Sequence, residues 1–213
     1  MSAGLPFSFV ACAESEPSIA AWTLRRLEPV TGNGYGTDPD LVHPAPVPWP
    51  RTLTDQQIET LTVLVDILIP AEGDLPAASQ VGVVEVIDEW ISAPYPTQQQ
   101  HRTLLLSGLD WCDREADGRS DTGFAAARPA LRQAIVEDIA YPERPGPEEL
   151  EGPRQFFGVL RMLTAGAYYT SPDGVRELGY VGNVPIAGDY PGPSREAMAH
   201  LEAQLEKLGL TLD

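Results

Sequence analysis

The stretch "LTDQQIETLTVLVDILIPA", residues 53–71, decides the fold class of this chain. Thr54 is followed three residues later by Gln57, the pattern of a capping box, in which each side chain bonds to the other residue's backbone N–H at a helix start. Behind this cap, apolar residues recur at helical spacing as far as Pro70, which cannot continue a helix. We therefore predict an amphipathic α-helix, with Leu53 and Ile58 as a hydrophobic staple across its first turn.

The same succession of caps, helical periods and stops recurs along the rest of the chain. Thr97 is predicted to cap a long helix, and Gly118 to follow its last turn. No period-2 alternation typical of strands is present, so the sequence predicts an all-α fold, a single helical domain of about five or six helices over residues 51–213. The further helical patterns lie at residues 81–91, 97–118, 129–142, 153–170 and 194–209.

Apolar residues also predict which helix faces enter the core. In the second helix, four apolar residues are expected to share one face. In the helix from Pro153, a core line is predicted beside several small residues, which would let another backbone approach closely. The predicted face of the second helix is Val83, Val86, Ile87 and Trp90; the core line is Phe156, Leu160, Leu163 and Ala167, and the small residues include Gly158 and Gly166.

Residues 1–50 differ in composition, and we predict that they form an extended N-terminal arm. The stretch "HPAPVPWP", residues 43–50, holds four prolines in eight residues. Proline fixes φ and lacks a backbone donor, which favours a polyproline-like conformation. The arm also carries Trp22, Tyr35 and Trp49, which a free tail would expose to water. We expect it to lie along a surface, either its own core or that of a partner, with a flexible linker as the alternative.

The charge of the chain argues against two classes of partner. The formal net charge is −17, from 31 acidic and 14 basic residues, so nucleic acid and anionic membranes would be repelled. No apolar run reaches the length of about 18 residues that a membrane span needs. We therefore expect no nucleic-acid partner and no membrane insertion by this chain.

The sequence also gives no sign of a metal or cofactor site. Its two cysteines, Cys12 and Cys112, lie far apart, and its three histidines are scattered, so no metal-ligand spacing is formed. No Gly-x-Gly-x-x-Gly pattern follows a strand, so a dinucleotide site is not predicted. We expect this chain to carry no metal and no cofactor.

The stretch "AYYTSPDGVRELGYVGN", residues 167–183, concentrates the candidate functional residues. Tyr168 and Tyr169 point about 100° apart around a helix, so one is expected to enter the core and the other to face outward. The next four residues, Ser171 to Gly174, suit a type I turn, and a short helical segment ending at Gly179 follows. Tyrosine is enriched at interface hot spots because it buries a large area and keeps a polar end.

Two stretches carry a resemblance to a known family. Residues 156–185, "FFGVLRMLTAGAYYTSPDGVRELGYVGNVP", and residues 53–91, "LTDQQIETLTVLVDILIPAEGDLPAASQVGVVEVIDEWI", resemble the gluconate 2-dehydrogenase subunit 3 family, and the similarity extends over about residues 50–190. The resemblance implies a non-catalytic small subunit of a heteromeric dehydrogenase that acts on CH–OH groups of sugars, sugar acids, polyols or glucosides. The large subunit would be a flavoprotein of the glucose–methanol–choline type that carries the FAD, and the small subunit would bind and stabilise it.

This interpretation predicts a partner interface made of aromatic and arginine side chains. Tyrosine and tryptophan suit hot spots, and arginine can make bidentate contacts across an interface. Packing within the chain itself is the alternative for the aromatic residues, and a surface ion pair is the alternative for the arginines. The predicted interface residues are Trp49, Arg51, Tyr168, Tyr169, Arg176, Tyr180 and Asn183.

Two other functions stay open on the sequence alone. A stand-alone enzyme could use Asp173 and Glu177, four residues apart, as acid and base, with Tyr169 and Tyr180 donating to an oxyanion. Charge and capping at a helix N-terminus would explain Asp173 equally well. A transient folding or export chaperone of the large subunit is the third possibility; it would leave its client, whereas a permanent subunit would stay in stoichiometric amount.

The N-terminal region bears on location. Relatives often carry a twin-arginine export signal, but Arg25 and Arg26 are followed here by "LEPVTGNGYG" rather than by an apolar stretch. The first residues, "MSAGLPFSFVACAESEPS", lack the basic region of a signal peptide. We therefore expect a cytoplasmic complex, with a periplasmic one as the alternative.

Overall fold

The computed structural model describes residues 19–36, 46–180, 182, 188–189 and 191–212. Over these residues no strand forms beyond an isolated bridge between Glu72 and Leu75, so the all-α prediction is confirmed. The short sixth helix, Pro172–Glu177, overlaps the short helical segment that was predicted to end at Gly179. The seven described helices are α1 Asp55–Leu68, α2 Val83–Ile91, α3 Pro96–Ser120, α4 Pro129–Ala140, α5 Glu151–Tyr169, α6 Pro172–Glu177 and α7 Arg195–Lys207.

The chain divides into two compact units, Met1–Leu178 and Gly179–Asp213. The first holds α1 to α6 and the described buried core. The second holds α7, which begins at the predicted cap Ser194 and is followed by Gly209 with a φ of +69°. No residue of α7 is buried. Whether residues 1–50 form a unit of their own stays a prediction.

The start of α1 follows the predicted capping box. The Thr54 side chain accepts a bond from the Gln57 N–H, and the Gln57 side chain accepts one from the Thr54 N–H. Helical residues end at Leu68, two residues before Pro70. The cap satisfies donors that the first helical turn would otherwise leave unpaired.

The predicted ends of α3 are wrong. The helix begins at Pro96, whose fixed φ suits the first helical position, with Tyr95 at the N-cap position and no side-chain cap. Its other end runs through Gly118 to Ser120. There Asp121 takes the left-handed conformation, with a φ of +54°, that Gly118 was expected to supply.

The core centres on a close crossing of α3 and α5, the two longest helices. Gly108 of α3 faces Phe156 of α5, and a Cβ placed on Gly108 would lie 2.0 Å from Phe156 Cδ2. The Phe156 ring is fully buried, as are Trp111 and Leu160 nearby in the same helices. Helix α5 also contacts α1, α2, α4 and α6, so the position it takes on α3 sets where the other helices pack.

The arm segment 19–36 has no helix or strand and lies along α3. It runs antiparallel to that helix, since successive backbone N–H groups reach successively earlier side chains. The Ala20 N–H donates to Glu115, the Arg25 N–H to Ser107, the Val30 N–H to Gln99 and the Tyr35 N–H to Tyr95. An isolated extended segment has no internal backbone partners, so these side chains supply them.

Glu115 anchors the start of this arm segment. Its side chain is 2% exposed, and its Oε2 accepts the Ala20 N–H at 2.6 Å. Its Oε1 accepts a bond at 2.8 Å from Nε of Arg119, which also pairs with Asp138. The indole N–H of Trp111 completes the attachment by donating to the Ala20 carbonyl at 2.9 Å.

Replacement of Gly108 by alanine should destabilise the protein, because the new methyl group would overlap the Phe156 ring. Overpacking of this kind costs about 1–3 kcal/mol. Urea unfolding followed by circular dichroism measures the change. Gly118→Ala is the matched control, since Gly118 also lies in α3 but has open space around it. We expect that control to be neutral or stabilising by up to about 1 kcal/mol. Equal stability of the two variants would contradict the close crossing.

Glu115→Gln should loosen the arm, because it removes the negative charge of the carboxylate that accepts hydrogen bonds from the Ala20 N–H and from Arg119. Hydrogen bonds to charged groups contribute about 1.5–3 kcal/mol. We expect faster trypsin cleavage after Arg25 and Arg26, measured by mass spectrometry over time. Asp110→Asn is the control, because its pair with Arg25 is half exposed and is worth at most about 1 kcal/mol. Unchanged cleavage in Glu115→Gln would show that the arm is held elsewhere.

Candidate protein interface

Helix α2 has one wide apolar face, and the core covers part of it. Val83, Val86, Ile87 and Trp90 share this face as expected, but Val86 is 51% exposed and Trp90 is 36% exposed. The core instead takes Val83, Ile87 and two residues that were not predicted, Val84 and Ile91. One edge of the apolar face of α2 is therefore left open in this chain.

The outward side of α5 carries little charge. Its residues 155–170 include one charged residue, Arg161, although 21% of the whole chain is charged. Gly158, Met162 and Gly166 lie one turn apart along this side, and Met162 is 51% exposed. A Cβ added to either glycine would meet no atom within 4 Å, so the close approach predicted at these glycines does not occur within the described residues. In the predicted core line of α5, Phe156, Leu160 and Ala167 are buried, and Leu163 is half-buried.

The open sides of α2 and α5 enclose a groove of about 490 Å³. Ile87, Leu163 and Ala167 form its floor, and the first turns of α3 close one side. Among the described residues, no lysine or arginine lines it. We call it the α2–α5 groove; its rim consists of Val86, Trp90, His101, Met162, Gly166 and Thr170.

One polar pair sits in the α2–α5 groove. The Trp90 indole N–H donates to His101 Nδ1 at 3.0 Å, and the two rings are stacked, with 6.1 Å between their centroids and 22° between their planes. This bond requires an unprotonated Nδ1. Burial lowers the pKa of His101, so the neutral ring is favoured at neutral pH.

The segment after α5 folds back sharply on that helix. Ser171 caps α6 by accepting the Gly174 N–H at 3.1 Å, and Pro172 takes the first helical position. A Cβ on Gly174 would lie 2.2 Å from the Tyr168 carbonyl oxygen, so only glycine fits this approach. The predicted turn at residues 171–174 is thus the first turn of a short helix.

The two adjacent tyrosines separate as predicted. Tyr168 is 1% exposed and donates to the Pro76 carbonyl at 3.2 Å. Tyr169 is half-buried, and its hydroxyl donates to Glu177 at 3.4 Å. Burial and the neighbouring Glu177 carboxylate raise the pKa of Tyr169, which keeps its phenol protonated.

The predicted interface residues differ in how far this chain itself covers them. Trp49 is 7% exposed, donates its indole N–H to the Glu89 carbonyl and packs edge-on against Tyr35 and Tyr95, so this chain already buries it. Arg51 is exposed, and Tyr180 is 65% exposed.

The other predicted residues divide in the same way. Tyr168 is buried by this chain, whereas the side chain of Arg176 is 62% exposed and pairs with Asp173. Asn183 lies outside the described residues. Contact of any of the seven with a partner stays a prediction.

The candidate acid and base of the enzyme alternative have local partners. Asp173 Oδ1 lies 2.8 Å from Arg176 Nη2, an i,i+3 pair in α6. Glu177 accepts the Tyr169 hydroxyl. Both carboxylates are thereby explained as parts of the α5–α6 corner.

Metal and membrane features were also examined over the part of the chain that the structure describes. There, no cluster of three or more His, Cys, Asp or Glu side chains is placed to hold a metal ion. Cys112 is fully buried, and burial raises the pKa of its thiol. None of the described helices combines the length and the apolar character that a membrane crossing requires.

The residues that the sequence reasoning missed are those of the α2–α5 groove. Val86 and Trp90 were expected on one face with Val83 and Ile87, and Met162 and His101 were not singled out. A usable signal was present in α2, where six of nine residues are apolar and form a face wider than the usual core-facing stripe of about 100°. The nearly uncharged run in α5 was a second signal.

Comparison with known families assigns the class of protein. The described unit is a helical chain with an unfilled apolar groove, as expected of one member of an assembly. Residues 55–192 match the family described as gluconate 2-dehydrogenase subunit 3. The match spans more than half of the chain, which therefore belongs to this family of dehydrogenase subunits. Comparisons with curated proteins and with solved structures find no match.

Acidification should open the Trp90–His101 pair. The folded-state pKa of His101 lies below its usual value of about 6.5, so the stability it contributes is present above pH 6.5 and is lost as the pH falls below it. We expect tryptophan fluorescence to change as the pH falls below 6.5, measured in a pH titration. Trp90→Phe should remove this change while Trp22, Trp49 and Trp111 remain. If Trp90→Phe gave the same fluorescence titration curve as the wild type, the change could not be assigned to the Trp90–His101 pair.

Proposed function

We propose that this chain is the non-catalytic small subunit of an FAD-dependent sugar or glycoside dehydrogenase. In this proposal it binds and stabilises a large flavoprotein subunit of the glucose–methanol–choline type. The observation that carries the proposal is the α2–α5 groove, an exposed apolar surface on a chain whose family consists of dehydrogenase subunits. Exposed apolar surfaces of this kind typically mark contacts with other proteins.

The lining of the α2–α5 groove does not suit FAD. A dinucleotide needs donors for its pyrophosphate, usually backbone N–H groups at a glycine-rich helix start. The groove instead offers mostly aliphatic and aromatic side chains, with threonine and histidine as its polar groups and, among the described residues, no cationic one. We therefore assign the FAD to the partner subunit, where it would accept the electrons removed from a CH–OH group of the sugar.

The α5–α6 corner supports a structural role in the same way. Asp173 is paired with Arg176, and Glu177 accepts the hydroxyl of Tyr169, whose phenol stays protonated. A general acid or base needs a free position within reach of substrate. In this proposal the corner instead holds the last turn of α5, and with it Met162 and Gly166, in place.

Affinity purification from native cells tests the proposal. The tagged full-length chain should retain a larger polypeptide in a one-to-one ratio, and the complex should show a flavin absorbance spectrum. It should also oxidise a sugar or glycoside with an artificial electron acceptor, whereas the small subunit alone should not.

Other outcomes would contradict the proposal. Recovery of the chain alone, or turnover of a sugar by the chain without a partner, would overturn it. A flavoprotein that co-purifies in much less than stoichiometric amount would identify a transient chaperone instead of a permanent subunit.

A further inference from the structure

We propose that the large subunit docks in the α2–α5 groove through an apolar α-helix flanked by basic side chains. This inference rests on the proposed function and adds the place of contact and the chemistry of the partner's surface. Three features of the described residues support it: the uncovered apolar edge of α2, the open glycine Gly166 of α5 and the charges beside the groove.

The uncovered apolar edge of α2 calls for a protein partner. Val86 and Trp90 expose apolar surface beside Met162, so three large side chains from two helices stand together. A buried tryptophan is a frequent hot spot, and hot spots cluster in pockets at the centre of an interface. A permanent interface buries upwards of about 2,000 Å², far more than the groove alone provides, so the occupant must extend beyond it. A large folded subunit meets that requirement, and a small apolar molecule does not.

The open glycines of α5 favour a helix as the occupant. Gly166 lines the groove and has open space above it; Gly158, about 12 Å earlier along the helix and outside the groove lining, is open as well. Glycine inside a helix costs up to about 1 kcal/mol relative to alanine, and no contact within the described residues explains the cost here. An α-helix laid into a groove between two others is a common recognition mode, and small residues allow it to come close.

The charges beside the groove indicate the charge of the partner. On the solvent side of Val86, α2 carries Glu85 and Glu89 and contains no basic residue. The far side of α5 carries Arg161. A helix with lysine or arginine beside its apolar stripe would complement the α2 edge, and attraction to this acidic chain would speed its association.

Gly166→Leu tests the docking site by filling it. The new side chain would occupy the groove, while its Cβ meets no atom within 4 Å, so the variant should fold with an unchanged or raised melting temperature. In the affinity purification described above, the retained flavoprotein should fall roughly tenfold or more. Gly118→Leu is the matched control, an exposed and open glycine near the far end of α3, about 25 Å along that helix from His101. That control should retain the flavoprotein fully.

The outcomes separate the two proposals. If the wild type and Gly166→Leu both retain the flavoprotein fully, the docking site is overturned and the proposed function stands. Failure of the wild type to retain any flavoprotein would overturn both. Loss of retention in both leucine variants would also count against the groove, because the effect would not be specific to it.

Photo-crosslinking identifies the occupant directly. A benzophenone amino acid replaces Met162 in one variant and Tyr141, an exposed residue at the end of α4, in the other. Irradiation of the purified complex should link position 162, and not position 141, to a helical segment of the large subunit, read by peptide mass spectrometry. A link from position 162 to a second copy of this chain, or an apolar small molecule that co-purifies in the groove, would overturn the proposal.

Discussion

The architecture depends on how closely α3 and α5 cross. Gly108 removes the side chain that would otherwise separate the helices, and the ring of Phe156 fills the space. Helix α5 contacts α1, α2, α4 and α6 from the position that this crossing sets. The arm segment 19–36 lies on another part of α3, where Glu115 and Trp111 hold Ala20. One helix thus organises both the core and the attachment of the arm, because its small and its polar residues face different neighbours.

The same arrangement leaves one edge of the apolar face of α2 uncovered. Val84, Ile87 and Ile91 pack on the core, whereas Val86 and Trp90 lie at one edge of the same apolar face, which the core does not reach. The outer side of α5, with Met162 between two open glycines, continues this surface. Assembly with another protein would explain this exposed surface, because burying apolar area stabilises a complex by about 25 cal/mol per Å².

The proposed docking groove therefore lies beside residues 167–183, the stretch that holds most of the predicted interface residues, and not wholly within it. The α5–α6 corner, residues 168–177, is closely packed: Tyr168 is buried, the Tyr169 hydroxyl donates to Glu177, and Gly174 touches the backbone of α5. Its physical role in the described structure is to end α5 in a defined position. That role connects the corner to the α2–α5 groove, since Gly166 and Thr170 in the last turns of α5 form part of the groove's rim.

Short-range patterns in the sequence determined the helices, the capping box at Thr54, the ends of α7 and the family, because each depends on residues a few positions apart or on local similarity. They also indicated that one of two adjacent tyrosines would be buried. The start of α3 escaped prediction because the helix begins at a proline with no side-chain cap, whereas the prediction relied on a threonine cap at Thr97. Only the tertiary structure decided that the arm segment lies on α3 and that Val86 and Trp90 face outward. Those outcomes depend on which of several apolar faces finds a neighbour, and that choice is made by packing between residues distant in the chain.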